Sequence, residues 1–218
     1  MDETRYGDRT AWVLATESVT LYRLAASRGR AEAEALAPAD GEAVIVTDRY
    51  SGYDYYPNRR RQLCWAHVKR DFQPIAQRDG ESGAIGVDLL QSAEALMHWW
   101  GRYREGRLKH ATLLSSIKQH VKPLVRAALE RGALCDHKAT RGTCRHVLQR
   151  RAALWTFLRY EGGADHEQPV RACVTPRGDP SEHHVWCAER TRGPVPGAGV
   201  QRVCDLSPEP QGGFPLIV

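Results

Sequence analysis

The first third of the chain carries short apolar segments with the spacing of β-strands. Two of them, residues 11–15 and 19–24, are joined by a short polar link and predict a hairpin. A continuous run of apolar and β-branched residues at 43–48 predicts a strand that is buried on both faces. Residues 62–65 predict another short strand, which leads into a helix that reaches Phe72.

Most of the remaining pattern has the three-to-four residue spacing of helices. Residues 29–36 predict a short helix, which Pro38 stops. Residues 89–103 and 113–129 predict two long helices, and Pro123 could kink or split the second. A further helix is predicted over about 144–158. These apolar stripes are most simply the surfaces that face a core. Strands followed by helices, around one buried strand, predict an α/β fold.

The charge and composition of the chain change at about residue 162. Residues 1–162 contain 26 Lys and Arg against 19 Asp and Glu, whereas residues 163–218 contain 5 against 7 and hold 8 of the 12 Pro. The basic part includes 21 Arg, whose guanidinium groups match phosphate geometry. A nucleic-acid partner and an ordinary solvated surface both remain open as interpretations of this charge.

Several classes of protein are excluded by composition. No apolar stretch is long enough for a transmembrane helix, and the charged first residues lack the apolar core of a signal peptide. The six Cys are irregularly spaced and do not form a disulfide scaffold. We therefore expect a cytoplasmic protein with no membrane contact.

Two acidic residues occupy positions where chemistry could occur. Asp48 ends the most buried predicted strand, at the edge where active sites of α/β sheets commonly lie. Taken alone, an Asp at a strand end is more often a turn former or a helix cap. With Asp2, however, it could supply hard oxygen ligands from adjacent strands to Mg²⁺ or Mn²⁺ beside a phosphodiester.

Segments around these carboxylates resemble the catalytic domain of the insertion sequence 66 family of transposases, a DDE family with an RNase H-like fold. The matching segments are Asp-Glu-Thr at 2–4, Val-Thr-Asp-Arg-Tyr-Ser-Gly-Tyr at 46–53, Gln-Leu-Cys-Trp-Ala-His at 62–67 and Arg-Arg-Ala-Ala-Leu-Trp-Thr-Phe at 150–157. The resemblance covers residues 1 to about 162. It implies a partial RNase H-like domain, a mixed sheet with flanking helices and a helical segment over 84–160.

The resemblance also implies the chemistry of the site. By position, Asp2 and Asp48 correspond to the first two catalytic aspartates of the family, which hold two Mg²⁺ or Mn²⁺ ions against the scissile phosphate. It implies DNA as the partner, in the form of transposon ends and target, and self-association as a possibility. The run of three arginines at 59–61 could contact phosphates, or it could be an ordinary solvated loop. The candidate DNA contacts are Arg49, Tyr50, Arg59, Arg60 and Arg61.

Zinc is a weaker alternative. The Cys and His spacings match no common zinc module, and a Cys on a strand is usually a small buried hydrophobe. We therefore interpret Trp65 and His67 as packing and hydrogen-bonding residues. The residues that raise the zinc question are Cys64, His67, Cys135, His137, Cys144 and His146.

The family's third carboxylate, a Glu in a stretch resembling Asn-Asn-x-x-Glu-Arg-Ala, is absent after residue 157. When residues 164–173 are back-translated and read one base forward, they permit Leu-Thr-Thr-Asn-Asn-Pro-Ser-Glu-Arg-Ala. Residues 185–192 permit a second family-like string in the same frame. Our hypothesis is that residues from about 163 are a frameshifted translation, with the Glu codon straddling Arg171 and Ala172. Residues 163–218 are then an irregular, disordered tail without a core.

Three functional hypotheses follow. The chain could be an inactive transposase remnant, also truncated before Asp2, that binds at most one ion weakly. It could be a basic nucleic-acid-binding protein that keeps the fold but does no chemistry. It could finally be a metal-dependent nuclease with a substitute carboxylate, for which the candidates are Glu161, Asp165 and Glu167.

Overall fold

The computed structural model describes residues 1–16, 19–40, 43–159 and 201–202. An antiparallel meander opens the chain, with strands β1 (Asp2–Tyr6), β2 (Arg9–Ala15) and β3 (Thr20–Ala25). Gly7 makes the tight turn between β1 and β2 with a φ of 60°, a conformation that glycine adopts without strain. The β2–β3 pair confirms the predicted hairpin.

A second, parallel pair of strands follows the meander. Helix α1 (Arg30–Leu36) leads to β4 (Ile45–Thr47), which pairs with β5 (Arg61–Leu63). β4 is shorter than the predicted run, but Asp48 does follow it directly. A short 3-10 helix (Ser51–Tyr53) lies between the two strands. The Met1 amino group donates to the carbonyl oxygen of Val46 at 2.8 Å, so the start of the meander lies beside β4.

The rest of the described chain is helical, apart from the two-residue strand β6 (Gln201–Arg202), which pairs with β3. The helices are α2 (Trp65–Ala76), α3 (Gly80–Arg104), α4 (His110–Ser116), α5 (Lys122–Leu134) and α6 (Lys138–Gln149). Two 3-10 helices follow, Arg151–Leu154 and Thr156–Arg159. The main core lies between these helices and β5, and includes Leu63, Trp65, Phe72, Leu89, Leu96, Val125, Val147 and Phe157.

The predicted break near Pro123 is confirmed. A π-helical turn (Ile117–Val121) separates α4 from α5, and Pro123 is the second residue of α5. Proline has no N–H to donate to the preceding turn, so a regular helix cannot continue through it without losing a hydrogen bond.

The predicted helix over 144–158 is wrong in its second half. α6 ends at Gln149, and the following segment forms two short 3-10 helices that also hydrogen-bond to β5. The Gln62 amide donates to the carbonyl oxygen of Leu154 at 3.2 Å and accepts from the Phe157 N–H at 2.9 Å. The Thr156 hydroxyl donates to the carbonyl oxygen of Arg61 at 2.7 Å. These tertiary bonds hold the segment against β5 where the α-helix has ended.

Candidate functional site: a polar cleft beside Asp48

Asp2 begins β1 and Asp48 follows the end of β4, and one hydrogen bond brings these two positions near each other. The Met1 amino group donates to the Val46 carbonyl oxygen. Met1 directly precedes Asp2, and Val46 is two residues before Asp48. One oxygen of each carboxylate accepts a backbone N–H, from Glu3 at 2.9 Å and from Tyr50 at 2.8 Å respectively. Within the described residues the second oxygen of each carboxylate accepts no hydrogen bond, so it is available to a ligand.

Asp48 lines a polar cleft of about 310 Å³. Three of its other residues are arginines, of which Arg28 and Arg49 are held by carboxylates. Arg70 is exposed and makes no ion pair with any described residue. The cleft therefore presents one carboxylate with a free oxygen beside an unpaired guanidinium. The residues that line the cleft are Arg28, Asp48, Arg49, Tyr50, Ser51, His67, Arg70, Asp71 and His146.

One wall of the cleft is fixed by a buried carboxylate. The Glu3 side chain is 1% exposed and accepts from Arg28 Nε at 2.8 Å and from the Tyr53 hydroxyl. Burial raises the pKa of Glu3, against these hydrogen bonds, and the charge of Asp48 raises it further. The Arg28 guanidinium also lies 4.1 Å from the centre of the Tyr50 ring. Glu3 is thus a structural acid, and both of its oxygens are occupied.

The opposite wall joins the strand region to the helices. Arg49 Nε donates to Asp71 of α2 at 2.5 Å, and Arg49 Nη1 lies 3.4 Å from His146 Nδ1 of α6. Burial, followed by the charges of Arg150 and Arg49, lowers the pKa of His146. The neutral form of His146 is therefore favoured.

His67 connects Asp2 to the cleft. It lies in the first turn of α2 and lines the cleft with Asp48. The net pKa shift of His67 is upward. The side-chain hydrogen bond with Cys64 is the main cause, burial opposes it, and the negative charge of Asp2 adds to it. Asp2 is therefore within electrostatic range of a residue that lines the same cleft as Asp48. Trp65, by contrast, is a core residue and donates to the carbonyl oxygen of Leu154 at 2.9 Å.

The structure corrects the assignment of Arg61 as a DNA contact. Its side chain is 0% exposed, and its guanidinium donates to Asp54 at 2.7 Å, to the Thr47 hydroxyl at 2.9 Å and to the carbonyl oxygen of Asp48 at 3.0 Å. Every donor position that could reach a phosphate is inside the protein. Arg61 supports the loop after β4 from within.

The other four candidate DNA contacts differ in their exposure and in their contacts within the protein. Arg59 is exposed, whereas Arg60 donates to the carbonyl oxygen of Ala39 and lies over the Tyr56 ring. Arg49 and Tyr50 are half-buried and line the cleft. Of the sequence candidates, Asp48, Arg49 and Tyr50 are therefore in the cleft, with Asp2 nearby, and Arg59 and Arg60 are outside its lining.

The cysteine and histidine candidates do not converge. Cys135 and Cys144 are buried free thiols, and burial raises the pKa of Cys144 to about 11. His137 caps α6 by accepting from the Thr140 N–H. Across the described ranges no group of three or more His, Cys, Asp or Glu could hold a metal ion. The position of the third family carboxylate, like Glu161, Asp165 and Glu167, lies outside the described residues.

Sequence reasoning missed several residues of the cleft. Arg28 lies in the loop after β3, and Arg70 and Asp71 are ordinary charged positions of a helix, whereas His146, which is 97 residues from its partner Arg49, was named only as a possible zinc ligand. No local pattern marks any of them. The resemblance segment Cys-Trp-Ala-His did mark His67, although packing was the preferred interpretation.

A family model described as "Transposase IS66 family" matches residues 1–163. The match covers most of the chain and identifies it as a protein derived from a transposase. The chain belongs to the IS66 transposase family, which confirms the resemblance, and the match ends within about a residue of the predicted limit. No curated protein and no solved structure matches the chain. In the part of the chain that the structure describes, no helix is both long and apolar enough to cross a bilayer.

Proposed function

We propose that this chain is the catalytic-domain portion of a DDE-type transposase, in which Asp2 and Asp48 hold one divalent cation beside a DNA phosphodiester. The observation that carries the proposal is that the Met1–Val46 hydrogen bond brings Asp2 near Asp48, beside a cleft lined by cations, and that each carboxylate has an oxygen that accepts no hydrogen bond from a described residue. The strand arrangement supports an RNase H-like fold, because β4 lies between the start of β1 and the parallel strand β5.

The donor set fits a hard cation. Mg²⁺ and Mn²⁺ prefer carboxylate oxygens and keep several waters, so two carboxylates are enough for one ion. Glu3 cannot contribute, because Arg28 and Tyr53 occupy its oxygens. When bound, such a cation supplies charge stabilisation for phosphoryl transfer. The chain's own residues bind and orient DNA: Arg70 is free to contact a phosphate, and Arg49 and Tyr50 line the entrance.

We further propose that the chain does not perform strand transfer. A two-metal site needs a third carboxylate to fix the second ion, and the sequence has no family-like Glu after residue 157. The protein would then bind DNA and at most one weakly held ion. The second hypothesis, a DNA-binding protein without chemistry, is therefore the behaviour that we expect of this chain in an assay.

Metal binding tests the role of the carboxylates. Mn²⁺ is titrated into the full chain and followed by water-proton relaxation, with Asp48→Asn and Asp2→Asn as variants. We expect one ion in the unmodified protein and at least about a tenfold loss of affinity in each variant, because each removes one anionic ligand. Asp88→Asn is the matched control, since Asp88 pairs with Arg131 at an exposed position. Equal affinity in all four proteins would refute the metal assignment.

Strand transfer tests the proposed inactivity. The unmodified protein is incubated with labelled transposon-end DNA, target DNA and Mg²⁺. We expect a DNA complex and no joined product. Joined product would contradict the proposed inactivity. It would instead support a site that is completed by a substitute carboxylate, as in the third hypothesis.

A further inference from the structure

Four cations from separate parts of the chain are linked by contacts or charge interactions around Lys122, which lies over Trp155, and we name them with Trp155 the basic surface. Lys118 lies in the π-helical turn, Lys122 begins α5, Arg159 ends the second 3-10 helix, and Arg59 precedes β5. None of the four lines the cleft beside Asp48. The basic surface is thus separate from the candidate site.

The contacts within the basic surface bring its charges together. Lys122 Nζ lies 5.2 Å from the centre of the Trp155 ring. Arg159 Nη1 donates to the backbone carbonyl oxygen of Arg59 at 3.4 Å, which brings the Arg159 guanidinium to the segment that carries Arg59. Burial lowers the pKa of Lys122, and the charges of Arg159 and Lys118 lower it further. The cations therefore repel one another.

No carboxylate neutralises this cluster within the described residues. Exposed cations elsewhere on the same helix do have partners: Arg126 pairs with Glu130, and Arg131 pairs with Asp88. Between residues 98 and 126 there are seven Lys and Arg but one acidic residue, Glu105, which pairs with Arg107. An ordinary solvated face mixes charges of both signs, whereas this one keeps only positive charge.

We infer that the basic surface binds the phosphate backbone of DNA without reading its sequence. This inference rests on the proposed function, which supplies DNA as the partner, and adds a second contact outside the cleft. Duplex DNA carries about one negative charge for each 1.7 Å of its axis, so it can face several clustered cations at once. The two lysines of the surface act mainly as point charges, which suits contact with phosphates rather than with base edges.

The test removes three charges and measures salt dependence. The full-length chain carrying Lys118→Gln, Lys122→Gln and Arg159→Gln is titrated onto a labelled duplex of arbitrary sequence, in EDTA, between 50 and 200 mM KCl. Fluorescence anisotropy gives the affinity at each salt concentration. We expect the slope of log affinity against log salt to become shallower by roughly 2 to 3, close to 0.9 for each lost phosphate contact.

A matched control removes the same charge from paired positions. Lys69→Gln, Arg126→Gln and Arg131→Gln each remove an exposed or half-exposed cation that has a carboxylate partner. Its slope should stay close to that of the unmodified protein. Equal slopes in both triple variants would show that only net charge matters and would overturn the inference, as would an unchanged slope in the first. Circular dichroism confirms that both variants fold.

Two further variants complete the design. Lys122→Arg keeps the positive charge and should keep the salt dependence of the unmodified protein. A shallower slope in this variant would mean that packing on Trp155 dominates, which would contradict the inference. Asp88→Asn, tested in EDTA, should bind the duplex as the unmodified protein does, because Asp88 pairs with Arg131 and lines no part of the cleft. If Mn²⁺ binding fails while the slope changes as expected, the metal proposal is wrong and the basic surface stands. If Mn²⁺ binds and the slope does not change, the reverse holds.

Discussion

Asp54 holds two guanidinium groups that come from distant parts of the chain. It pairs with Arg61 of β5 and, through two hydrogen bonds, with Arg150 at the end of α6. Arg61 is fully buried, so Asp54 is the charge that compensates it. Burial raises the pKa of Asp54, but hydrogen bonds and charges from Arg150 and Arg61 outweigh burial, and the net shift is downward.

Asp54→Asn should destabilise the protein substantially. It leaves a buried guanidinium without its carboxylate, and because Asp54 is itself 41% exposed we expect about 2–3 kcal/mol, less than the 3–5 of a fully buried pair. Urea unfolding followed by circular dichroism measures the change. Asp88→Asn removes an exposed pair and should cost no more than about 1 kcal/mol. Similar losses in the two variants would mean that burial of Arg61 is irrelevant.

The same residue gives the stability a defined pH dependence. Because the folded pKa of Asp54 is lowered, its contribution is complete above its unfolded pKa of about 3.9 and is lost as the pH falls through the lower, folded value. The free energy of unfolding should therefore fall below about pH 4 more steeply in the unmodified protein than in Asp54→Asn. Parallel curves would contradict the assigned shift.

The arginine run shows how far single residues can be predicted from sequence. Three adjacent arginines look alike in composition, yet Arg59 is exposed, Arg60 lies over a tyrosine ring and Arg61 is buried. Their difference depends on where β5 begins and on Asp54, which is seven residues before Arg61 and faces it only after folding. Sequence could predict Asp48, because a strand end has a local signal, and could not predict the partners of Arg61.

Helices α2 and α3 approach each other at Gly86. A Cβ at this position would lie 2.2 Å from the backbone nitrogen of Ala76 and 2.5 Å from its Cα. Backbone atoms cannot move aside as a side chain can, so the two helices can pack at this distance only with glycine there. This close approach is at the C-terminal end of α2, just before the turn into α3.

Gly86→Ala should therefore separate α2 from α3. We expect a loss of about 3 kcal/mol or more, at the upper end for overpacked cores. Gly101→Ala in the same helix is the control, because a Cβ there meets nothing within 4 Å. That control should stabilise the protein by about 0.5–1 kcal/mol through helix propensity. Thermal unfolding of both variants measures these effects, and a tolerated Gly86→Ala would show that the helices can shift.

Element types were largely predictable, whereas one helix end was not. The stripes that predict α3 and the segment around Pro123 depend on local spacing, which the sequence contains. The end of α6 depends on Gln62 and Thr156, whose hydrogen bonds join positions 95 residues apart or nearly so. Apolar spacing continues past residue 150 although the backbone leaves the helix, because the same side chains also suit the 3-10 turns.

At the scale of the molecule, the family match and the change in composition end together. The match stops at residue 163, where the basic, patterned part gives way to the Pro-rich part. The frameshift hypothesis explains both facts with one event. It concerns residues that lie outside the described ranges, so it stays a prediction about the gene.

Repairing the reading frame should restore the missing carboxylate. Deleting one base or inserting two near codon 163 should produce a family-like sequence that contains the Glu, and genomic sequencing on both sides of that codon checks the frame directly. The repaired chain should show Mg²⁺-dependent strand transfer, and the unmodified chain should show none in the same assay. A repaired protein that binds DNA but stays inert would mean that Asp2 and Asp48 were misassigned.

The return of the chain to β5 after α6 has a practical consequence. Residues 151–159 close onto Gln62 and Arg61, so the core that begins with Leu63 is completed only by Phe157, near the end of the described helical region. The loop after α3, where Gly106 has a φ of 71°, divides that core between two pieces of sequence. Each piece carries apolar residues that pack against those of the other, so neither has the complete core by itself. The protein could therefore be split at this loop and used as a complementation pair, in which folding reports that the two fragments have met.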